Sequence, residues 1–410
     1  MKQRCRAIHL DFVVGPVDPQ SVSSRQDRPF PRTGPNHPQN ISFFKKLTNN
    51  GTVPDKGTKR GWAQPGQPWE EAMNQKFKLF VLAAVFAMAL FRSANAQQQL
   101  TMFWPGPLTP SDEKVFKDWA GKVTADSKGA IAVDLKNNSP LANFGNIVDR
   151  VENNVVQIGI ALTSALPGRF ELTNVVSVPF TMDLNDDNKA AAALWRVYKE
   201  GLLDSEWKTV VPLFVGVSKQ AGFHFAKAPA SLDHLEGLKM RIFTSGHVPL
   251  VQGLGMQPVS LPPADQYQAL QRGTIDGDIT SWTTFPSYNL AEVTKYHVDL
   301  PLGGSAFVVF MSRKQLEQLP PAGRSAIEAN SNEEFSRAFD HALFEDAEKG
   351  RASASGPGQT TVQLTAQKTD EWRKKFGEPM IEQWQQANGP QAPKVLAAFK
   401  KAYADVKAGH

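Results

Sequence analysis

Cysteine is nearly absent from this 410-residue chain, in which Cys5 is the only one. A disulfide framework, a thiolate metal site and a cysteine nucleophile are therefore excluded for residues 97–410. Residues 97–410 also have no excess of positive charge. The whole chain has a net charge of +5, but residues 97–410 hold 31 Lys and Arg against 34 Asp and Glu. This part of the chain lacks a nucleic-acid-binding signature, so we expect no nucleic-acid partner.

Motifs for metal, dinucleotide and covalent chemistry are also missing. Asp276-Gly-Asp278 lacks the remaining ligands of a calcium loop and is better interpreted as a turn between strands. Gly253-Leu-Gly255 has no third glycine of a dinucleotide loop. The histidines have no metal-ligand spacing: His224, His234, His247 and His297. We therefore expect no metal site, no cofactor and no enzyme; a secreted α/β hydrolase stays an alternative without a nucleophile–base pair.

The first 96 residues predict a leader rather than a domain. Residues 1–72 contain nine prolines and no sustained apolar period, which indicates an upstream mis-start or a disordered tail. Residues 73–96 have the three parts of a signal peptide: a basic start, the 13-residue apolar run 79–91, and a small-x-small cleavage pattern at 93–96. Such a run is too short to span a bilayer, so we expect export to the periplasm. The rival interpretation is a cytoplasmic tail with 79–91 as an anchor.

From Leu100 onward the chain alternates predicted strands and helices, which is typical of an α/β fold with parallel sheets. Thr109 is predicted to cap the first helix, a short helix is predicted at 231–235, and 335–349 has the period of a long helix. Residues 352–360 are predicted to be an exposed loop. Extended crossings between two units predict two lobes with a cleft: 97–221 and 305–410 in lobe I, and 222–304 in lobe II. The predicted strands are Leu100–Trp104, Ile131–Leu135, Val155–Leu162, Val175–Phe180, Val210–Val217, Phe223–Phe225, 238–242, Pro258–Leu261, Ile275–Thr280, Tyr296–Leu302 and Ala306–Met311.

Arg241 is the most informative charged residue. Leu238, Met240 and Ile242 alternate with Lys239 and Arg241, the period of a half-buried strand. An arginine in such a place needs an anion, because a buried unpaired charge is costly and a guanidinium cannot lose its proton. Either an internal carboxylate, Asp276 or Asp278, supplies that anion, or a ligand does. The residues alone leave the two possibilities open.

Several other residues are candidate ligand contacts because of their place at strand ends. Trp104 and Trp282 stand where α/β folds put ligand contacts, and Phe307 begins a core strand. Hydroxyl donors for a carboxylate come at the ends of two strands: Thr163, Ser164, Thr280 and Ser281. Taken singly, each aromatic is better interpreted as a core residue, and each hydroxyl could equally belong to an ordinary loop residue.

Five segments carry a resemblance to a known family: 166–172, 178–180, Leu235-Glu-Gly-Leu-Lys-Met-Arg241, Gly255-Met-Gln-Pro-Val259 and Tyr267-Gln-Ala-Leu-Gln-Arg-Gly-Thr-Ile-Asp-Gly277. In these segments, spread over about 100–349, the chain resembles the solute-binding subunit of tripartite ATP-independent periplasmic (TRAP) transporters, of the dicarboxylate-binding type. The resemblance implies a two-lobed, hinge-closing fold with a ligand cleft and a long helix spanning both lobes.

The resemblance also implies a function. Such a subunit captures an organic acid and delivers it to a small and a large membrane subunit for ion-gradient-driven uptake, without chemistry of its own. An arginine in the strand that matches 238–242 usually holds the ligand carboxylate, which gives that role to Arg241. A binding protein for an ABC importer or a signalling receptor is the alternative. The oligomeric state stays open.

Two departures from the family pattern bear on the ligand. Some members have a second ligand-binding arginine about twenty residues earlier, where this chain has 220–225 and no arginine. Either His224 or main-chain groups replace it, or the ligand carries fewer anionic groups. Thr280 stands where sialic-acid-type members often have asparagine. We therefore expect a mono- or dicarboxylate with an apolar body rather than a sugar acid.

The leader prediction can be checked directly. If residues 73–96 are removed during export, the mature protein begins near Gln97. N-terminal sequencing of the protein recovered from the periplasm measures this, and a mature chain that retains 79–91 would contradict the signal peptide.

Overall fold

The computed structural model describes Phe77 and residues 97–184 and 187–410. Apart from Phe77, the signal-peptide segment lies outside the described residues. No helix within these ranges has the length and apolar character needed to cross a membrane. The strands are β1 Gln98–Trp104, β2 Ile131–Asn137, β3 Ile158–Leu162, β4 Val210–Val217, β5 Ala221–Phe225, β6 Lys239–Ile242, β7 Gln257–Ser260, β8 Gly277–Ser281, β9 Tyr296–Asp299, β10 Ala306–Ser312 and β11 Thr360–Gln363.

The helices of the described residues from 97 onward lie between these strands and, after β11, at the C-terminal end of the chain. They are α1 Pro110–Asp126, α2 Ile147–Glu152, α3 Lys189–Lys199, α4 Val248–Gly253, α5 Gln266–Gln271, α6 Phe285–Tyr288, α7 Leu290–Val293, α8 Arg313–Gln318, α9 Pro321–Ala329, α10 Glu333–Ser353, α11 Ala366–Trp372, α12 Glu378–Ala387 and α13 Ala392–Lys407. The α/β prediction is thus confirmed. Thr109 caps α1 as predicted, accepting a hydrogen bond from the Asp112 backbone N–H at 3.1 Å.

Two sheets organise the chain. The first has the strand order β2-β1-β3-β10-β4, and the second has the order β11-β9-β5-β8-β6-β7. Both are mixed, so the prediction of parallel sheets is wrong in part. β10 pairs antiparallel with both β3 and β4, and β5 pairs antiparallel with β8 and β9. The cause is the path of the chain, which leaves the first sheet after β4 and returns to it through β10.

Three local predictions differ from the structure. The predicted strand Val175–Phe180 is replaced by a short 3₁₀ turn at Thr173–Ser177, and the predicted helix at 231–235 is a turn closed by a bridge between Ser231 and His234. The predicted loop 352–360 leads into β11, which pairs with β9 of the second sheet. The lobe boundaries stay a prediction; the structure puts residues 360–363 in the second sheet although that prediction counts 305–410 with lobe I.

Helix α10 connects the two sheets. Near its middle, Asp340 accepts hydrogen bonds from the backbone N–H groups of Val217 and Ala191, at 2.8 and 3.1 Å. Further along, the Leu343 carbonyl accepts a hydrogen bond from Thr283 Oγ1 at 3.2 Å, just beyond β8. Gly350 lets the helix approach the chain after β8, because a Cβ there would lie 2.2 Å from the Trp282 carbonyl oxygen.

Buried acids lie where α1 packs against α10. Thr109 Oγ1 donates to Asp346 Oδ2 at 2.6 Å, and Lys349 Nζ lies 3.4 Å from Asp346 Oδ1. The neighbouring Asp112 is only 3% exposed, and its Oδ1 has no hydrogen-bond partner within the described residues. Burial, with a further contribution from Asp346, raises the pKa of Asp112 to about 7.

Gly350→Ala tests the close approach of α10 to the second sheet. We expect a loss of about 1–3 kcal/mol in the free energy of unfolding, because the new methyl group has to displace backbone. The matched control is Gly121→Ala in α1, where nothing lies within 4 Å of the added Cβ. That change should stabilise by up to about 1 kcal/mol through helix propensity. Urea unfolding measures both, and equal effects would contradict the close contact.

Asp112→Asn tests the buried carboxyl. Because the folded-state pKa is raised from 3.8 to about 7, the stability that the acid contributes is present at low pH and is lost as pH rises through 7. The variant does not titrate, so its stability relative to wild type should increase between about pH 4 and pH 7, by on the order of 1–4 kcal/mol, and stay constant above about pH 8. Asp118→Asn, exposed on the same helix, is the control. Parallel pH profiles for wild type and Asp112→Asn would contradict the raised pKa.

Candidate functional site

A cavity of about 1010 Å³ lies between the two sheets. Its first-sheet wall is formed where β1 and β3 end and β10 begins. Its second-sheet wall is formed where β6 and β8 end. Ends of strands from two sheets therefore converge on one space, as at ligand sites of α/β proteins. The residues that line it include Trp104, Asp112, Phe144, Ser164, Glu171, Arg241, Leu261, Gln266, Thr280, Ser281, Tyr288 and Phe307.

Arg241 is held in position by neighbours on three elements. In the sheet it is paired directly with Asp278 of β8, so the two side chains share a face. Its Nη1 donates to Asp278 Oδ1 at 3.1 Å and to Gln266 Oε1 at 3.3 Å. Its Nε and Nη2 both donate to the Leu261 carbonyl, each at 3.3 Å. Both possibilities that the sequence leaves open are thus present: the guanidinium has an internal carboxylate, and it also faces the cavity.

The charge balance of the cavity is unusual. Among its described lining residues Arg241 is the only Lys or Arg, whereas Asp112 and Glu171 are acidic. Burial raises the pKa of Asp278 to about 6, against the opposing effect of the Arg241 charge. Burial also raises the pKa of Tyr288 to about 12, so its phenol stays protonated and can donate a hydrogen bond. The site can therefore neutralise at most one anionic group of a ligand.

Aromatic rings form the apolar wall of the cavity. The Trp104 ring lies 5.4 Å from the Phe307 ring and 5.7 Å from the Phe144 ring, measured between centroids. Trp104 Nε1 donates to the Pro107 carbonyl at 3.0 Å, which fixes the orientation of the indole. The Phe144 ring stands perpendicular to the indole and the Phe307 ring is tilted by 34°, so together they form an apolar aromatic wall that suits a ligand with an apolar body.

The structure brings together six of the nine ligand contacts that the sequence predicts. Arg241, Trp104 and Phe307 line the cavity, and so do the hydroxyl residues Ser164, Thr280 and Ser281. Thr163 is fully buried, and its Oγ1 donates to Asn174 Oδ1 at 2.6 Å instead. Trp282 lies away from the cavity, with its Nε1 donating to Asp299 Oδ1 at 2.8 Å.

His224 is not among the lining residues. Its Nδ1 lies 2.9 Å from His297 Nδ1, and its ring packs against Trp282. Burial and the neighbouring His297 lower the pKa of His224 well below its usual value. A neutral, buried imidazole cannot replace a second arginine, so that part of the sequence interpretation is corrected.

Two lining residues of the cavity are missed by the sequence interpretation. Tyr288 and Gln266 sit on short helices, and no periodicity or motif marks them as cavity residues. Asp278, which the sequence names as a possible partner of Arg241, lies behind the wall inside β8 and is 0% exposed, so the interpretation of Asp276-Gly-Asp278 as a turn is wrong.

Comparison with known proteins agrees with this geometry. A family model described as bacterial extracellular solute-binding protein, family 7, matches residues 101–387. A Comamonas testosteroni protein named outer membrane transporter protein TsaT is 24% identical over 293 residues, which cover 70% of this chain and 85% of that protein.

Two solved structures have the same fold. One is a marine metagenome TRAP solute-binding protein specific for aromatic acid ligands, in complex with metahydroxyphenylacetate. It has a TM-score of 0.68 and 25% identity, covering 75% of this chain and 99% of that chain. The other is a TRAP solute-binding protein from Rhodoferax ferrireducens with copurified benzoate, at a TM-score of 0.67 and 24% identity, covering 76% and 99%.

The match to the family model spans well over half of the chain, and the described fold has the two sheets, the cavity between them and the connecting helix α10. The resemblance of the sequence to the solute-binding subunit of TRAP transporters is therefore confirmed, whereas the dicarboxylate-binding type stays a prediction. This chain belongs to the bacterial extracellular solute-binding proteins of family 7, and it is a TRAP transporter solute-binding protein that captures an organic acid in the cleft between two lobes.

Proposed function

We propose that the ligand is an aromatic or otherwise apolar monocarboxylate, bound with its carboxylate on Arg241 and its body against Trp104 and Phe307. Thr280, Ser281 and Ser164 supply hydroxyls around the carboxylate. Tyr288 supplies a phenol that stays protonated. This proposal narrows the expectation of a mono- or dicarboxylate to one carboxylate and an apolar body.

The observation that carries the proposal is the 3.1 Å pairing of Asp278 with Arg241, which is the only guanidinium among the described residues that line the cavity. Because Asp278 already pairs with Arg241, one ligand carboxylate is the most that the site can accept. A second carboxylate would find no other Lys or Arg among the described lining residues and would meet Asp112 or Glu171 instead. Like-charge contact in a partly desolvated cleft disfavours binding.

The apolar half of the proposal rests on the aromatic wall. Burying a planar ring against Trp104 and Phe307 removes apolar surface from water and adds a favourable ring–ring contact. The ligands in the similar solved structures, metahydroxyphenylacetate and benzoate, are acids of this kind in those proteins. The fixed orientation of the indole favours flat acids over branched aliphatic ones.

We further propose that the protein works in the periplasm, after removal of residues 73–96, and hands the acid to a small and a large TRAP membrane subunit. It acts as a binding protein and not as an enzyme. This follows the sequence, in which no nucleophile–base pair stands out, and the family to which the chain belongs. The cavity residues fit capture and release of an unchanged acid.

A panel of acids tests the ligand class. Benzoate, 3-hydroxyphenylacetate and mandelate should each raise the midpoint of thermal unfolding by several degrees when present well above their dissociation constants. Succinate and malate, which carry two carboxylates, should give little or no shift. The bound acid should be recovered unchanged after denaturation. A preference for the dicarboxylates, or turnover of the acid, would contradict the proposal.

The role of Arg241 is best tested in a double variant. In Arg241→Met alone, the buried Asp278 loses its partner, which costs on the order of 3–5 kcal/mol unless the acid protonates. In that single variant a loss of stability would therefore accompany any loss of binding. Arg241→Met combined with Asp278→Asn removes both charges and preserves volume.

The double variant should lose at least about 100-fold in affinity for benzoate, equivalent to the loss of a charged contact of roughly 3 kcal/mol. Isothermal titration calorimetry measures this. Arg324→Met, an exposed arginine on α9 that pairs with Glu328, is the control and should bind as wild type does. Wild-type affinity in the double variant would remove Arg241 from the site.

A further inference from the structure

We propose that Asp278 is a proton-binding site coupled to acid capture, so that the cavity takes up one proton with each monocarboxylate it binds. The inference rests on the proposed function, because it takes the ligand carboxylate to sit on Arg241. It concerns a residue behind the cavity wall and not one of the lining residues.

The position of Asp278 supports this assignment. It lies inside β8, between Arg241 on β6 and His224 on β5, with which it is paired directly in the sheet. The residue is 0% exposed. Its Oδ1 accepts from Arg241 Nη1 at 3.1 Å, whereas its Oδ2 is buried and has no hydrogen-bond partner within the described residues. A carboxylate with one bare, buried oxygen is poorly stabilised in its charged form.

Ligand binding further destabilises the charged form of Asp278. Before binding, the guanidinium and the Asp278 carboxylate balance each other. A ligand carboxylate on Arg241 places two negative charges beside one positive charge, in a site from which water is excluded as the cleft closes. Adding a proton to Oδ2 restores the balance, and Oδ1 still accepts the hydrogen bond from Arg241. The proton comes from solvent and returns to it when the acid leaves.

The other titratable groups that face Asp278 do not supply this response near neutral pH. His224 on β5 has a pKa well below its usual value, and burial lowers the pKa of His247, which is close to Arg241, to about 4. Both imidazoles are neutral. The Tyr288 phenol, with a pKa of about 12, is protonated throughout. Gln266 on α5 does not titrate.

Asp112 on the opposite wall is the competing candidate. It also lines the cavity, and its pKa of about 7 lies in the same range. It does not contact Arg241, however, and its raised pKa comes from burial and from Asp346. A ligand carboxylate on Arg241 competes directly with Asp278 for the guanidinium and only distantly with Asp112. The experiment has to separate the two acids.

The pH dependence of binding follows from the linkage. With a pKa of about 6 in the free protein, Asp278 is ionised above pH 6 and becomes protonated when the acid binds. The dissociation constant for benzoate should therefore rise with pH above 6, by up to about tenfold per pH unit. Benzoate itself is fully ionised in this range and adds nothing to the slope.

Calorimetric titration of the protein with benzoate at about pH 7.5, in phosphate and in Tris, measures the number of protons taken up from the difference in apparent enthalpy. We expect close to one proton per benzoate in wild type and in Asp112→Asn. In Asp278→Asn we expect no uptake and a dissociation constant that is nearly independent of pH. Independently of any variant, wild type should gain the infrared carbonyl band of a protonated carboxylic acid on binding benzoate.

The outcomes separate the two proposals. Benzoate binding without proton uptake in wild type would overturn the proton site and leave the proposed function standing. Proton uptake that disappears in Asp112→Asn but persists in Asp278→Asn would also overturn the assignment to Asp278. If no monocarboxylate of the panel binds, the proposed function itself fails, and the proton site fails with it.

Discussion

The pairing of Arg241 with Asp278 across neighbouring strands is the interaction on which the site depends. It lets a permanently charged side chain sit 3% exposed inside a sheet and still face a cavity. Without the carboxylate, the buried guanidinium would be an uncompensated charge; without the guanidinium, the carboxylate would be one. The pair therefore stabilises the strand arrangement and at the same time limits how much negative charge the cavity can accept.

The limit on negative charge determines how this protein selects its ligand. A solute-binding protein with two cavity arginines can hold a strongly anionic ligand by charge alone. Here the positive charge of Arg241 is already paired with Asp278 inside the protein. Selectivity therefore has to come from the shape of the cavity and from apolar contact. The Trp104 ring provides that contact together with the Phe307 and Phe144 rings, whose centroids lie 5.4 Å and 5.7 Å from the Trp104 centroid.

Helix α10 sets the frame in which the two walls face each other. Asp340 binds the backbone of β4 and α3 on one side, and Leu343 and Gly350 contact the segment after β8 on the other. The same helix buries Asp346 beside Asp112, so the packing of α1 on α10 places an acid at the cavity wall. The cavity and the connection between the sheets are thus built from the same contacts.

The sequence by itself determined most of the secondary-structure elements and the need of one residue, Arg241, for an anion. Strand and helix periods, the Thr109 cap and the strand position of Arg241 follow from local rules of spacing and capping, because those rules act over a few residues. Tertiary structure decided the rest. Which carboxylate pairs with Arg241, why Trp282, Thr163 and His224 face away from the cavity, and how Tyr288 enters it depend on strand order. Strand order is fixed by contacts between residues far apart in the chain, such as the pairing of β10 between β3 and β4, and no local pattern encodes it.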